Sequence, residues 1–184
     1  MDSVLFKYCP KLVQMFRDGV AVGRSGNSRK ISGMSTPNNL AVLRNLFLDI
    51  KPKTTLEIGF AFGASGLVLA GGFRESGEAG RSQHCAIDPF QGNFWDEAGV
   101  VAFEDERLSD YLDFRCMYSC YALPELIKEG KTFDLIYIDG SHIFEDVFVD
   151  FYFGIRLFAN GGVIQGQRQL RAYPKTEPIG CKHP

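Results

Sequence analysis

Three acidic residues each close a short apolar run in this sequence: Glu57 after Thr55-Leu56, Asp88 after Cys85-Ala86-Ile87, and Asp139 after Leu135-Ile136-Tyr137-Ile138. Glu57 is followed by a glycine-bearing stretch, Ile58-Gly59-Phe60-Ala61-Phe62-Gly63-Ala64-Ser65-Gly66. A buried strand, a glycine turn and a helix in that order build a nucleotide site largely from backbone. The glycines let the chain turn sharply and let a ligand approach, while the helix points its first amides at the ligand. An acid at the next strand end can accept both ribose hydroxyls of a nucleoside through charge-assisted hydrogen bonds. Each feature also has a plainer reading. The turn can simply join strand to helix, Asp88 can form a turn before Pro89, and Glu57 can cap the helix amides, with or without a water-mediated ligand contact.

Two nucleotide registers can be laid on the turn. A dinucleotide fingerprint Gly-x-Gly-x-x-Gly would fall on Ala61 to Gly66, with alanine in the first glycine place. The alternative, acid-x-Gly-x-x-x-Gly, runs from Glu57 to Gly63 without a gap. This second register resembles motif I of class I S-adenosylmethionine (SAM)-dependent methyltransferases, with Ala61 in place of a middle glycine.

The resemblance extends over residues 34–164. It is carried further by Cys85-Ala86-Ile87-Asp88-Pro89-Phe90-Gln91 and by Phe133-Asp134-Leu135-Ile136-Tyr137 with Ile138-Asp139-Gly140-Ser141-His142. Together these are similar to a branch with a strand-end Asp-Gly-x-His that includes sugar and macrolide O-methyltransferases. The resemblance implies SAM as cofactor and methyl transfer, by O-methylation, to a small-molecule acceptor. It places Glu57, Gly59, Ala61 and Gly63 at the methionine end and turn, Asp88 at the ribose, and Phe90 and Gln91 beside the adenine. Ser119 meets the adenine edge. Asp139 faces the methyl donor and, in metal-using relatives, ligates Mg²⁺. His142 takes the position of a general base; a neutral imidazole can accept a hydroxyl proton near neutral pH. The plainer reading of His142 is a helix N-terminal residue bonded to Asp139 or to solvent.

The elements that must position these residues alternate. Helices are expected over residues 3–18 and from Pro37 to Ile50, the second capped by Thr36. Residues 19–36 read as a loop. Strands are then expected over 54–59, 83–88, 112–117 and 133–139, with a fifth from Val163. Helices are expected over 64–75, 95–107, 121–129 and 143–158. Gly71, Gly72, Gly77 and Gly80 mark a flexible connection. The aromatic stripe Phe144, Val147, Phe148, Phe151, Ile155 and Phe158 reads as the helix face that packs on the sheet, in preference to an aromatic ligand pocket. Alternating β and α units imply an α/β, Rossmann-like doubly wound parallel sheet. The organisation is an N-terminal helical cap (1–50), an α/β core (51–166) and a divergent polar tail (167–184) within one compact domain.

At 184 residues and 45% hydrophobic the chain can bury a full core. A net charge of −2, with scattered Lys and Arg, argues against nucleic acid as a partner. No apolar run reaches the roughly 18 residues of a membrane span. Five cysteines without a CxxC suggest neither disulfides nor zinc, and a reduced cytoplasm is the simplest setting. The ending departs from the family. Gly162-Val163-Ile164-Gln165-Gly166-Gln167 carries no acid at the fifth strand end, so two usual metal ligands are missing, and a lone Asp139 would hold Mg²⁺ poorly. The proline-rich tail is not expected to add the last two strands of the fold, which leaves strand five as an exposed edge and a site of homo-oligomerisation. A truncated or frame-shifted reading frame and a genuine short variant both fit that ending. Two other functions stand beside the methyltransferase: a non-catalytic SAM or nucleoside binder, favoured by the missing acids, and an NAD-dependent oxidoreductase, opposed by Ala61 and Glu57.

Overall fold

The computed structural model describes residues 9–77, 83–141, 143–166 and, by backbone, 169–172. Residues 3–8 of the first expected helix, Gly80, His142, Cys181 and most of the polar tail lie outside these. Helix α1 (Pro10–Asp18) leads to a hairpin, β1 (Val20–Val22) with β2 (Ser28–Lys30), and then to α2 (Pro37–Ile50). After α2 come β3 (Thr55–Ile58), α3 (Ala64–Glu75), β4 (His84–Ile87), α4 (Ala98–Asp105), β5 (Leu112–Arg115), α5 (Ser119–Lys128), β6 (Phe133–Ile138), α6 (Phe144–Gly154), β7 (Phe158–Gly166) and β8 (Gln169–Ala172).

The main sheet runs β5-β4-β3-β6-β7-β8, parallel through β7 and antiparallel at β8. The connections leave β3 in opposite directions, so the topological switch lies between β3 and β6. Ligands of open α/β sheets bind beyond the strand ends there. One face of the sheet is covered by α1 to α4, around Leu12, Leu43, Phe47, Leu67 and Phe73. The other is covered by α5 and α6, around Leu123, Leu126, Ile136 and Ile164.

Local signals explain α2 and α3. The Thr36 hydroxyl accepts from the Asn39 amide and Pro37 opens α2, satisfying an end that would otherwise expose its amides. Gly63, in the left-handed region, is the N-cap of α3. Gly71 and Gly72 are not a flexible connection; they lie buried inside α3. A Cβ on Gly72 would come within 2.6 Å of the Phe47 ring, so the glycine is what lets α2 pack against α3.

Three further expectations change. Residues 20–30 form a short hairpin where a loop was expected. β7 begins at Phe158 rather than Val163, and the Asn160-Gly161-Gly162 break is taken up as an irregularity in its pairing with β6. β7 is also not the sheet edge: β8 pairs with it from Gly166↔Gln169 to Val163↔Ala172, so an oligomer through an exposed fifth strand has no open edge to use.

The largest correction concerns α6. Four residues of its apolar stripe do not pack on the sheet: Phe144 is 77% exposed and Phe148 59%, with Val147 and Ile155 also exposed, whereas Phe151 packs against the core and Phe158 is buried as the first residue of β7. The helical period was read correctly but its phase was not. Asp150 and Gly154 take the buried positions, and a Cβ on Gly154 would stand 3.5 Å from Ile164 Cδ1. Gly154 faces the sheet, with Phe151 and Phe153 packed against the same core. Among the described residues no helix is long and apolar enough to cross a membrane.

Candidate functional site

A cavity of about 510 Å³ opens beyond the C-terminal ends of β3, β4 and β6. Ile58, Gly59 and Ala61 line it from the first turn, Asp88, Pro89 and Phe90 from the second, and Tyr118 and Ser119 from the third. Asp139, Gly140 and Ser141 come from the end of β6, and α6 adds Asp146 and Asp150. Among the described residues no Lys or Arg lines it, and the charged side chains on its wall are carboxylates.

The turn after β3 is held from every side. Gly59 has φ of 93°, and a Cβ there would lie 2.4 Å from the Gly140 Cα, so only glycine lets β3 and β6 end together. Phe60 and Phe62 point down into the core, Phe60 against Phe103 and Phe114 and Phe62 against Trp95. Trp95 therefore anchors its loop while also reaching the cavity rim. Ala61 adopts a left-handed φ of 44°, which strains an alanine by roughly 1 kcal/mol. Its peptide is clamped on both sides: the amide donates to Asp88 Oδ2 at 2.7 Å, and the carbonyl accepts from Gln91 Nε2 at 2.5 Å. Those two bonds offset the strain, which is how alanine occupies a glycine place.

Asp88 is the centre of this clamp. Besides Ala61, the Phe60 amide donates to Oδ2 at 3.1 Å and the Phe90 amide to Oδ1 at 2.7 Å. Hydrogen bonds to a charged group contribute about 1.5–3 kcal/mol each, so Asp88 holds two turns in register as well as facing the cavity.

Asp139 is organised by a contact across the fold. Ser35, just before α2, donates to Asp139 Oδ2 at 2.9 Å, and the Tyr137 hydroxyl donates to the same oxygen at 3.2 Å. The Ser35 and Tyr137 hydroxyls also meet at 3.1 Å. Burial pushes the Tyr137 phenol above its ordinary value; a hydrogen bond with Ser35 opposes this, and the neighbouring carboxylates add to it. Ser35 was missed by sequence reasoning. It lies 104 positions from Asp139, and its only local signal is its place beside the α2 cap.

Glu57 and Gln91 are corrected. The Glu57 side chain does not reach the cavity. It is fully buried beneath α3, with Oε2 3.1 Å from His84 Nε2 and Oε1 accepting from the Ser65 hydroxyl. Burial pushes its carboxyl above the ordinary 4.5, against the hydrogen bond and charge of His84 and the Ser65 hydroxyl, which pull it down. Gln91 is buried under the turn, where it clamps Ala61 instead of standing at the cavity. Gly63 packs on Gly99 and does not line the cavity. Gly59, Ala61, Asp88, Phe90, Ser119 and Asp139 do line it. His142 lies outside the described residues.

The sequence of residues 56–166 matches the model of a family described as a methyltransferase domain. The chain belongs to the methyltransferase domain family. No curated protein matches it. Its fold is similar to the O-methyltransferase of Bacillus cereus in complex with SAH (20% identity, TM-score 0.65, covering 90% of this chain and 66% of that one). It is similar also to the Podospora anserina methyltransferase PaMTH1 bound to SAH (20% identity, TM-score 0.62, 90% and 62%). A third is the O-methyltransferase TomG of Streptomyces achromogenes, involved in tomaymycin synthesis, in complex with SAM (19% identity, TM-score 0.61, 89% and 64%). This methyltransferase domain thus spans a little under two thirds of each of those chains.

The donor set suits a cationic nucleoside better than a metal. Among the described residues no three His, Cys, Asp or Glu side chains converge as metal ligands. Asp139 Oδ2 already receives two hydroxyls, and β7 ends at Gln165-Gly166. The described residues do not fit Mg²⁺.

Proposed function

We propose that this methyltransferase domain binds SAM in the cavity and transfers its methyl group to the oxygen of a small-molecule acceptor. The observation that carries the proposal is the pair Asp88 and Asp139, set at the ends of β4 and β6 on either side of β3, in a cavity whose described lining holds carboxylates and no cation. SAM is a nucleoside with two cationic groups, so a cavity of this charge favours it. Bound there, SAM supplies an electrophilic methyl group on a sulfonium.

The chain's own residues bind and orient. The lone pair left on Asp88 Oδ1 accepts a ribose hydroxyl, while its three amide bonds hold the turn rigid. Phe90 and Tyr118, in edge-to-face contact at 5.8 Å, flank the base. Asp139, aligned by Ser35 and Tyr137, faces the cationic end. We assign to His142 acceptance of the acceptor's hydroxyl proton. Most of the rate in such a reaction comes from holding acceptor and methyl donor in line. The absence of acids at the β7 end supports a second reading, a SAM binder without transfer, which shares the binding step.

Calorimetric titration with SAM, with NADH as comparator, tests the proposal. SAM is expected to bind and NADH not to. Phe90→Ala, at an exposed ring, is expected to weaken SAM roughly tenfold with unchanged thermal unfolding. A folded protein that ignores SAM would remove both readings; binding with no methyl transfer to any phenol or sugar hydroxyl tried would leave the second.

A further inference from the structure

Asp96 and Glu97 are consecutive non-glycine residues in the left-handed region, at φ of 53° and 54°. That region is unfavourable for any residue with a Cβ, and a pair persists there only where the surrounding structure holds it. The holding contacts come from the tip of the β1–β2 hairpin, 71 positions earlier in the chain. The Arg24 amide donates to the Asp96 carbonyl at 2.6 Å, and the Ser25 hydroxyl donates to Asp96 Oδ2 at 2.5 Å. The Arg24 guanidinium donates to Glu97 at 2.8 Å and, through both terminal nitrogens, to Glu104 at 2.6 and 2.7 Å. Gly23 belongs to the fit, since a Cβ there would come within 2.3 Å of Asp96 Oδ2. These contacts account for the hairpin. Its three-residue strands bury only Ala21, too little to hold a two-stranded ribbon together alone.

What the hairpin holds is one wall of the cavity. The 89–97 loop carries Pro89, Phe90 and Trp95 onto that wall. Its near end is fixed by Asp88, which accepts from the Phe90 amide. Its far end is tied back where the Glu97 amide donates to the Gln91 carbonyl at 2.7 Å, and Gln91 is the side chain that clamps Ala61. The left-handed turn at 96–97 therefore decides where Trp95 and Gln91 stand. We propose that Arg24 and Ser25 are positioning residues for SAM: through Asp96 and Glu97 they hold the 89–97 loop as cavity wall, so the hairpin sets the fraction of molecules competent to bind. This rests on the SAM reading above and adds a control of affinity exerted from outside the cavity. The Ser25 hydroxyl holds the Asp96 carboxyl below its ordinary range, and Arg24 does the same to Glu104.

Trp95 is the single tryptophan of the chain, so its fluorescence reports the loop without any ligand. Acrylamide quenching of Trp95 in the full chain is expected to rise about twofold in Arg24→Ala, as the loop opens locally. Gly23→Ala, which displaces Asp96 without changing a charge, is expected to do the same. Calorimetric titration is expected to show each variant binding SAM roughly fivefold more weakly, as the competent fraction falls from near one to about one fifth. Arg24 is 47% exposed and its ion pairs contribute little to global stability, so thermal unfolding is expected to stay unchanged and establishes that each variant is folded. Glu97→Asn supplies the rescue, because asparagine adopts the left-handed region more readily and is a favoured N-cap, the place Glu97 holds in α4. In that background Arg24→Ala is expected to weaken SAM by less than about twofold. Unchanged Trp95 quenching in Arg24→Ala and Gly23→Ala overturns the inference. So does a loosened Trp95 with SAM affinity untouched, or an Arg24→Ala loss that is as large beside Glu97→Asn. Absence of SAM binding by the unaltered protein defeats the SAM reading and the positioning role with it; that failure is distinct from failure of the hairpin contacts, which Trp95 reports by itself.

Discussion

Glu57 and His84 stand side by side on adjacent strands, Oε2 and Nε2 3.1 Å apart, and neither side chain reaches water. The acid that most resembles a ligand-binding residue in the sequence is therefore a strut beneath α3. Gly66 makes room for it: a Cβ there would come within 2.9 Å of Glu57 Oε2 and 3.0 Å of His84 Nε2.

Removing one partner of this pair is expected to be far worse than neutralising it. Glu57→Ala leaves His84 and Ser65 facing a void and is expected to destabilise by about 3–5 kcal/mol; Glu57→Gln keeps the shape and loses much less. The pH dependence has a definite sign. Burial raises the folded-state value of Glu57 above 4.5, so above that pH the folded state holds its proton more tightly than the unfolded chain. Its contribution is complete below pH 4.5 and falls as pH rises through the folded value. Denaturant unfolding across that range is expected to show a flatter profile for Glu57→Gln than for the native chain.

Asp88→Ala is expected to act on the fold before it acts on any ligand. It strips the Phe60, Ala61 and Phe90 amides of their acceptor. A loss of about 3 kcal/mol or more follows from three unpaired amides. Asp88→Asn retains an acceptor oxygen and is expected to lose less. Midpoints of chemical denaturation separate the two, and ligand binding compared well below each transition isolates the contribution to the nucleoside.

Tyr137 is expected to ionise above the ordinary phenol range. Its phenol is buried beside Asp139, which raises it above the ordinary 10. Ultraviolet titration of native protein should show a late component that Tyr137→Phe removes. Because the folded-state value is the higher one, the stability Tyr137 contributes is present below pH 10 and is lost as pH rises through the folded value. Ser35→Ala is expected to shift the late component further up, since the Ser35 hydroxyl pulls the phenol down.

Two phenylalanines of similar appearance in the sequence are expected to differ sharply. Phe47→Ala removes a ring packed edge-on at 4.9 Å against Phe73 and is expected to destabilise by about 3–5 kcal/mol. Phe148→Ser, on the open face of α6, is expected to stay within about 0.5 kcal/mol of the native chain. Thermal unfolding of the two variants in parallel checks the phase of α6 directly.

What the sequence determined by itself is local. Thr36 and Pro37 start α2 because a hydroxyl can reach an amide three residues on and proline needs no donor there. Gly59 and Gly63 open the turn because they can adopt positive φ. Alternating apolar runs and helical periods specified the doubly wound sheet, and strand-end acids marked the side on which a ligand sits.

What only the tertiary structure decided depends on residues far apart in the chain. A 3.6-residue period shows that α6 has two faces but not which is inside; packing on the sheet buries Asp150 and Gly154 and sets Asp146 and Asp150 on the cavity wall. The three-residue strands of the N-terminal hairpin are too short to carry alternation, so only their pairing reveals them. Glu57 could have faced ligand or core until β4 brought His84 beside it. Ser35 reached Asp139 only once α2 had packed on α3 and the sheet had set the two ends together, because a hydrogen bond spanning 104 positions has no local pattern to announce it.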